Sequence, residues 1–206
     1  MIEQIVLVRH GETVHNAAGV AQGWQDSDLS EAGLRQVRRL AARMPQFGVN
    51  AIFSSPLSRA LKTAEALRDE TGLEICVLDD LREMNYGAWE GKRFLEVRHD
   101  DFERYKQWIE DPAAPCPAGE SHVDLLRRMQ CAFRSIESSA NGRPLRPVVV
   151  THGTAIRVGT TGLLGWPLAN ARNLAMDNAS ISVFAWRHDR YVLKAWNDTS
   201  HLENPE

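Results

Sequence analysis

The chain has 206 residues, of which 43% are apolar and 25% are charged, and its formal net charge is −3 at pH 7. This length suits one compact domain, and we expect a single domain over residues 1–206. The near-neutral charge favours neither nucleic acid nor an anionic membrane as a partner, and no apolar run approaches the ~20 residues that a membrane helix needs. Because residues 1–4 lack the features of a signal peptide, we expect a cytoplasmic protein.

Strands and helices alternate in the first part of the chain. The β-branched apolar run at residues 5–8 is typical of a buried parallel strand. A helix is predicted from Ser30, as its N-cap, to Met44. Its apolar face consists of Leu34, Val37, Leu40, Ala41 and Met44. Residues 51–54 predict a second strand and residues 75–78 a third. Between them we expect a helix that Ser55 caps, with Pro56 at its first position and Gly72 at its end.

The segment from residue 85 to residue 120 is less regular. It contains one predicted helix near residues 94–109 and a proline-rich run at 111–117, and we expect it to be an insertion that caps the site. Ser121 opens the next helix, residues 148–150 predict a strand, and a helix follows Gly153. Residues 181–186 and 191–195 predict the last strands. This alternation predicts an α/β fold, a three-layer α/β/α sandwich with a mostly parallel central sheet.

The cysteines and histidines show no metal-binding pattern. Cys76, Cys116 and Cys131 have no paired spacing, which favours buried free thiols. The seven histidines form no His-Glu-x-x-His or His-x-His motif. We therefore expect no metal and no cofactor.

Two segments of the chain repeat one pattern. Residues 6–11 read Val-Leu-Val-Arg-His-Gly and residues 148–153 read Val-Val-Val-Thr-His-Gly. In each, a buried strand leads to a histidine, His10 or His152, and then to a glycine that lets the backbone turn sharply. Because ligands bind at the carboxyl ends of strands in open α/β sheets, we expect both histidines to reach the same space.

These residues belong to a wider set of blocks in a fixed order along the chain. The blocks include Arg9-His10-Gly11-Glu12-Thr13-x-x-Asn16, Ser-Ser-Pro-Leu-Ser-Arg-Ala at 54–60, Leu-Arg-Glu at 81–83, Tyr-Gly-x-Trp-Glu-Gly at 86–91, Pro-x-Gly-Glu-Ser at 117–121 and His152-Gly153. From about residue 5 to residue 184 the sequence resembles the histidine phosphatase superfamily, which includes the cofactor-dependent phosphoglycerate mutases. The resemblance implies a phosphoglycerate mutase-like fold.

The resemblance also implies a role for each central residue. His10 would be the nucleophile, because a neutral imidazole attacks phosphorus well and a carbonyl on its other nitrogen would fix the tautomer. A transferring phosphoryl group carries its charge on its equatorial oxygens, so well-placed cations stabilise the transition state. Arg9, Arg59 and a protonated His152 would supply that charge. Glu83 would protonate the leaving oxygen and then deprotonate the attacking water.

The remaining candidates are substrate contacts. Asn16 and Tyr86 match family contacts, and further donors are expected from Thr13, Gln22 and the Gly153 N–H. Glu12 is expected to be structural, and to orient an arginine.

Two other phosphatase signatures are present in form only. Residues 76–82 fit the cysteine phosphatase pattern Cys-x5-Arg, but the loop has no glycine and its two aspartates would repel a phosphate. Residues 26–30 resemble an aspartyl phosphatase loop but lack the apolar strand that should precede it. We reject both.

The sequence therefore predicts a metal-independent phosphomonoester hydrolase that acts on a small phosphorylated metabolite through a phosphohistidine. Two alternatives stay open: a phosphoglycerate mutase, and a non-catalytic protein that binds a phosphorylated ligand. A mutase would need extra cations, and the 85–120 segment has no adjacent arginine pair, only Lys92-Arg93, Arg98-His99 and the isolated Arg104 and Lys106. The pair Arg127-Arg128 lies on a helix that we expect to face solvent. A homodimer is also left open.

Overall fold

The computed structural model describes residues 2–203. Six strands form one sheet in the order β3-β2-β4-β1-β5-β6. They are β1 (Gln4–Arg9), β2 (Ala51–Ser54), β3 (Ile75–Val77), β4 (Pro147–Thr151), β5 (Ile181–Arg187) and β6 (Arg190–Asp198). The first four are parallel to one another, whereas β5 pairs antiparallel with β1, and β6 antiparallel with β5. The sheet is therefore mostly parallel, as predicted.

Helices cover both faces of this sheet. They are α1 (Val14–Ala17), α2 (Glu31–Arg43), α3 (Ser58–Thr71), α4 (Phe94–Asp100), α5 (Phe102–Glu110), α6 (His122–Ser138) and α7 (Gly153–Leu164). Alternate residues of the central strands feed two apolar clusters, because successive side chains of a strand point to opposite faces. Leu7 and Val149 pack with α6 and α7, whereas Val6 and Val148 pack with α2 and α3. The three-layer α/β/α sandwich is confirmed.

The helix from Ser30 is confirmed at its start, since the Ser30 hydroxyl accepts a hydrogen bond from the Gly33 N–H at 3.0 Å. Leu34, however, is 45% exposed and does not belong to the buried face. The prediction that Ser55 caps the next helix is wrong. Helix α3 begins at Ser58 after Leu57, and the Ser55 hydroxyl lies 2.8 Å from Nε2 of His152 and accepts a hydrogen bond from the Leu57 N–H at 3.3 Å. Gly72 ends α3 in the left-handed conformation, at φ 70°.

The 85–120 segment contains two helices where one was predicted. Helices α4 and α5 are separated at Asp101, which has non-helical backbone angles of φ −131° and ψ 44°. The Asp101 carboxylate accepts a hydrogen bond from Trp89 Nε1 at 3.0 Å, which ties this break to the preceding loop.

The expectation of three buried thiols is also wrong, since only Cys116 is buried. Cys76 is exposed because β3 is the edge strand of the sheet. Among residues 2–203, no helix is long and apolar enough to cross a membrane.

Candidate active site

The register of β1 and β4 brings the two histidines together. Arg9 pairs with Thr151 at the carboxyl end of these strands, so the next residue of each is a histidine. The ring centroids of His10 and His152 are 5.1 Å apart. The sequence expectation that both reach one region holds in the structure.

His10 is held in one tautomer. Its Nδ1 lies 2.7 Å from the Gly11 carbonyl oxygen, which can only accept, so Nδ1 carries the hydrogen and Nε2 keeps its lone pair. Burial, followed by the nearby positive charges of Arg59 and Arg9, lowers the pKa of His10 well below its usual range. A neutral imidazole with a free Nε2 is the form that a nucleophile requires.

His152 lies behind His10 and is fully buried. Its Nε2 is 2.8 Å from the Ser55 hydroxyl, and its Nδ1 has no hydrogen-bond partner within residues 2–203. Burial, followed by the positive charges of Arg59 and Arg9, lowers the pKa of His152 well below its usual range. In the protein alone these effects favour the neutral ring, which differs from the protonated form expected from the sequence.

Two arginines stand beside the histidines: Arg59, which is buried, and Arg9, which is half-buried. Arg9 donates a hydrogen bond to the Met176 carbonyl oxygen, and Arg59 donates to the carbonyls of Gly23 (2.7 Å) and Gln25 (2.8 Å). Burial lowers the pKa of both guanidinium groups, and Glu83 opposes that effect in each. A Cβ on Gly153 would lie only 3.3 Å from Arg9 Nε, so a side chain at this position would crowd the guanidinium and glycine avoids that contact.

The Glu83 carboxylate binds the beginning of helix α7. It accepts backbone hydrogen bonds from Thr154 (3.1 Å), Ala155 (3.0 Å) and Met84 (2.8 Å). The N-terminus of a helix favours a negative charge. The helix that follows His152 therefore fixes the carboxylate predicted to be the acid/base.

Most of the predicted substrate contacts line one cavity of about 370 Å³ together with Arg9, His10, Arg59 and Glu83; they are Asn16, Gln22, Tyr86 and Gly153. The side-chain oxygen Oδ1 of Asn16 accepts from Asn178 Nδ2, Thr13 N and Thr13 Oγ1, so the side-chain NH₂ group is the part left to bind a ligand. The Gln22 Oε1 is buried and has no hydrogen-bond partner within residues 2–203. Tyr86 donates to or accepts from Thr154 Oγ1 at 2.7 Å, and burial raises its pKa.

Thr13 and Glu12 do not contribute to the cavity wall. The Thr13 hydroxyl caps α1, where it accepts from the Asn16 N–H at 3.0 Å. Glu12 accepts from the Ser30 hydroxyl at 2.6 Å, so it stabilises the start of α2, and within residues 2–203 it forms no ion pair with an arginine.

The rest of the cavity wall is largely aromatic and apolar. Phe94 of α4 and Tyr105, Trp108 and Ile109 of α5 line it, so the 85–120 segment forms part of the wall of the cavity that the candidate catalytic residues also line. The acidic side chains of that segment do not line the cavity. Among the lining residues, Glu83 is the one acidic side chain. Among residues 2–203, no group of three or more His, Cys, Asp or Glu side chains is placed to hold a metal ion.

The sequence interpretation missed Arg157, a half-buried residue of α7 that also lines the cavity. It donates to Thr154 Oγ1 at 3.0 Å and to the Gly153 carbonyl at 3.3 Å. Within residues 2–203, no carboxylate lies within ion-pair distance of it. Its position one helical turn after Gly153 is the signal that could have revealed it.

The prediction that Arg127 and Arg128 both face solvent is wrong for Arg128. The Arg128 side chain is only 14% exposed and pairs with Glu120 at 2.8 Å, whereas the Arg127 side chain is 69% exposed. Arg128 points toward the loop that carries Glu83, to whose carbonyl oxygen it donates at 3.0 Å.

Comparison with known proteins agrees with this geometry. The model of the histidine phosphatase superfamily (branch 1) matches residues 5–199. The probable phosphoglycerate mutase GpmB of Yersinia pestis is 36% identical over 98% of this chain and 96% of its own length. A mycobacterial glucosyl-3-phosphoglycerate phosphatase, solved with vanadate, superimposes with a TM-score of 0.88 at 32% identity, over 96% of this chain and all (100%) of that one.

A phosphoserine phosphatase from Entamoeba histolytica, solved with phosphoserine as a histidine-to-alanine variant, gives a TM-score of 0.84 at 30% identity, over 98% of this chain and 100% of that chain. The family model and these relatives span almost the whole chain, including both histidine motifs. The chain therefore belongs to the histidine phosphatase superfamily.

Proposed function

We propose that this protein is a phosphomonoester hydrolase that transfers the phosphoryl group to Nε2 of His10 and then to water. The observation that carries the proposal is the state of His10, which is neutral, held by Gly11 through Nδ1, and placed in a cavity with two arginines. Nε2 attacks phosphorus as the bond to the leaving oxygen breaks, and Glu83, which the bound phosphate dianion favours in its protonated form, gives that oxygen its proton. Water then gives a proton to Glu83 and attacks phosphorus, and the N–P bond breaks.

Positive charge for both steps comes from Arg9 and Arg59, and the Gly153 N–H at the N-terminus of α7, which Glu83 does not bind, is a further donor. His152 can add a donor to a phosphate oxygen, because a dianion beside it would offset the burial and the cations that lower its pKa. We propose that these groups replace a metal ion, so that EDTA leaves activity intact. Loss of activity on chelation, restored by a divalent ion, would show that this part of the proposal is wrong.

We propose that the preferred substrate carries a second anionic group on its leaving-group side. Arg157 lies four residues beyond Gly153, about 6 Å farther along α7 than the phosphate-binding end. It has room for an anion because no carboxylate of residues 2–203 pairs with it. The names of the relatives support this class, since phosphoserine and phosphoglycerate both combine a phosphomonoester with a carboxylate.

The test of this substrate class is Arg157→Met. Loss of a charge-assisted hydrogen bond should raise KM for phosphoserine or 3-phosphoglycerate by about 10-fold or more. The value for p-nitrophenyl phosphate, which has no carboxylate, should stay within about 2-fold of wild type. An equal change for both substrates would contradict a role of Arg157 in binding the second anion.

The second candidate function is a phosphoglycerate mutase. It is favoured by the name of the Yersinia pestis relative and by Arg157, which places a cation of α7 at the cavity, where the 85–120 segment contributes no cation to the wall. The hydrolase is supported by the phosphatases that share 30–32% identity over nearly the whole chain.

The two candidates separate with 3-phosphoglycerate, with and without added 2,3-bisphosphoglycerate. A hydrolase releases inorganic phosphate, and the bisphosphate does not stimulate formation of 2-phosphoglycerate. Isomerisation that is stimulated by the bisphosphate and outpaces phosphate release would establish the mutase.

A further inference from the structure

Arg128 of α6 donates its hydrogen bonds to acceptors of the protein, whereas a solvent-facing arginine would donate mainly to water. Its guanidinium donates to three backbone carbonyls of residues 80, 82 and 83, at 2.9, 2.8 and 3.0 Å. It also forms a two-pronged pair with the Glu120 carboxylate, at 3.0 Å from Nε and 2.8 Å from the terminal nitrogen. Its neighbour Arg127 is exposed and pairs with Asp124 of its own helix at 3.0 Å.

The loop that Arg128 binds has little regular structure of its own. Between β3 and Glu83 the backbone forms only a short 3₁₀ helix, Asp79–Leu81. The carbonyl oxygen of Glu83 is fixed from outside the loop by two donors, Arg128 and Nε1 of Trp24, which lies at 2.8 Å. The backbone of the acid/base residue is therefore held by side chains that are distant in sequence.

Glu120 connects Arg128 to the part of the loop that follows Glu83. Its carboxylate accepts a hydrogen bond from the Asn85 N–H, and its own N–H donates to the Asn85 carbonyl, both at 2.9 Å. The Arg128–Glu120 pair is mostly buried, with 14% and 19% of the two side chains exposed. It thus joins the loop on both sides of Glu83 to the start of α6.

We propose that Arg128 and Glu120 form a positioning unit that sets the place of the Glu83 carboxyl relative to the leaving oxygen; this inference rests on the proposed hydrolase function. The Glu83 side chain is fixed by α7, whereas its backbone is fixed by Arg128, so the carboxyl is oriented only when both ends are held. Arginine suits this task because its donors lie in one rigid plane, which lysine does not offer.

Loss of the unit should affect proton transfer more than phosphate binding. A misplacement of about 1 Å in a catalytic group can reduce the rate by about 100-fold. The loss falls on substrates whose leaving group needs a proton, since general acid catalysis contributes little when the leaving group is already a good one. Phenyl phosphate and p-nitrophenyl phosphate form a matched pair, because they are similar in shape and differ in leaving-group basicity.

The experiment measures kcat/KM for both esters in wild type, Arg128→Ala, Arg128→Lys and the exposed control Arg127→Ala, with Glu83→Gln as the reference for lost acid catalysis. We expect Arg128→Ala to increase the preference for p-nitrophenyl phosphate by at least about 10-fold, in the direction of Glu83→Gln. Arg128→Lys should give an intermediate preference, and Arg127→Ala the wild-type preference. Added guanidinium ion at non-denaturing concentration should restore the wild-type preference in Arg128→Ala only.

Thermal unfolding of each variant separates positioning from general damage. Arg128→Lys keeps the charge and serves as the second variant if Arg128→Ala does not fold. An unchanged preference in Arg128 variants, with proportional losses on both esters, would overturn the positioning role while leaving the hydrolase intact. A wild-type protein that releases phosphate from neither these esters nor phosphorylated metabolites would overturn both.

Discussion

The two strand–histidine–glycine motifs have nearly the same sequence and lie side by side, yet they give their histidines different surroundings. His10 faces the cavity and donates from Nδ1 to the carbonyl of the next residue. His152 lies behind it and contacts a serine hydroxyl through Nε2. Burial lowers the pKa of both rings, so charge state does not distinguish them.

The difference arises from the segment after each glycine. After Gly11 the chain enters a loop that packs tightly on α2, where a Cβ on Gly11 would lie 2.6 Å from Val37 and 2.9 Å from the Gly33 carbonyl oxygen. This packing leaves no room for a side chain at position 11, and the Gly11 carbonyl accepts the hydrogen bond from His10 Nδ1. After His152, helix α7 begins at once and presents its free amides to Glu83. One motif thus supplies the proposed nucleophile, and the other leads into the helix N-terminus that binds the proposed acid/base.

The largest expected effect is the loss of the nucleophile. His10→Ala should lower kcat by at least about 10³-fold, as expected when a covalent route is lost. Steady-state phosphate release with a preferred monoester measures this. A variant that retains a tenth of wild-type kcat would break the distinction between the two histidines.

A smaller effect is expected at the second motif. His152→Gln removes one donor near the phosphate and should lower kcat by about 10²-fold, which is the range for the loss of a single transition-state donor. Ser55→Ala is a matched control, since it removes the partner of His152 Nε2 without removing the ring. It should lower kcat by a smaller factor than His152→Gln. If His152→Gln lowered kcat as much as His10→Ala does, the two rings would share the covalent role.

The smallest effect is on stability, and it comes from the lowered pKa values of both rings. Below about pH 6.5, the usual pKa of histidine, the unfolded chain binds protons that buried His10 and His152 do not bind. The unfolded state then binds more protons, so the free energy of unfolding falls as pH falls, by up to about 1.4 kcal/mol per pH unit for each ring. Above that pH the two rings contribute no slope.

Denaturant unfolding in phosphate-free buffer between pH 7 and pH 5 tests this. Wild type should lose stability toward pH 5, and His152→Gln should lose less because one buried ring is gone. His122, whose pKa burial lowers to about 4, is present in both proteins and acts in the same direction. Identical slopes for the two proteins would show that His152 is protonated as readily in the folded chain as in the unfolded one.

The sequence could predict the strands, the two motifs and the family because these depend on local patterns and on neighbouring parallel strands. It could not predict Arg128 correctly, since the loop at 80–83 that binds it is distant in sequence and nothing on α6 marks that contact. Ser55 was misassigned for the same reason, because its partner His152 is 97 residues away. Thr13 fitted the motif but serves a local cap, which competes with ligand binding for the same hydroxyl.

The most direct test of His10 as the nucleophile is to locate the phosphoryl group during turnover. Wild type, His10→Ala and His152→Gln are mixed with substrate, quenched in base, where phosphohistidine is stable, and mapped by mass spectrometry. We predict one phosphorylated residue, His10, in wild type and in His152→Gln, an adduct that acid removes, and none in His10→Ala. A phosphoryl group on His152, or an adduct that persists in His10→Ala, would contradict the assignment of His10 as the nucleophile.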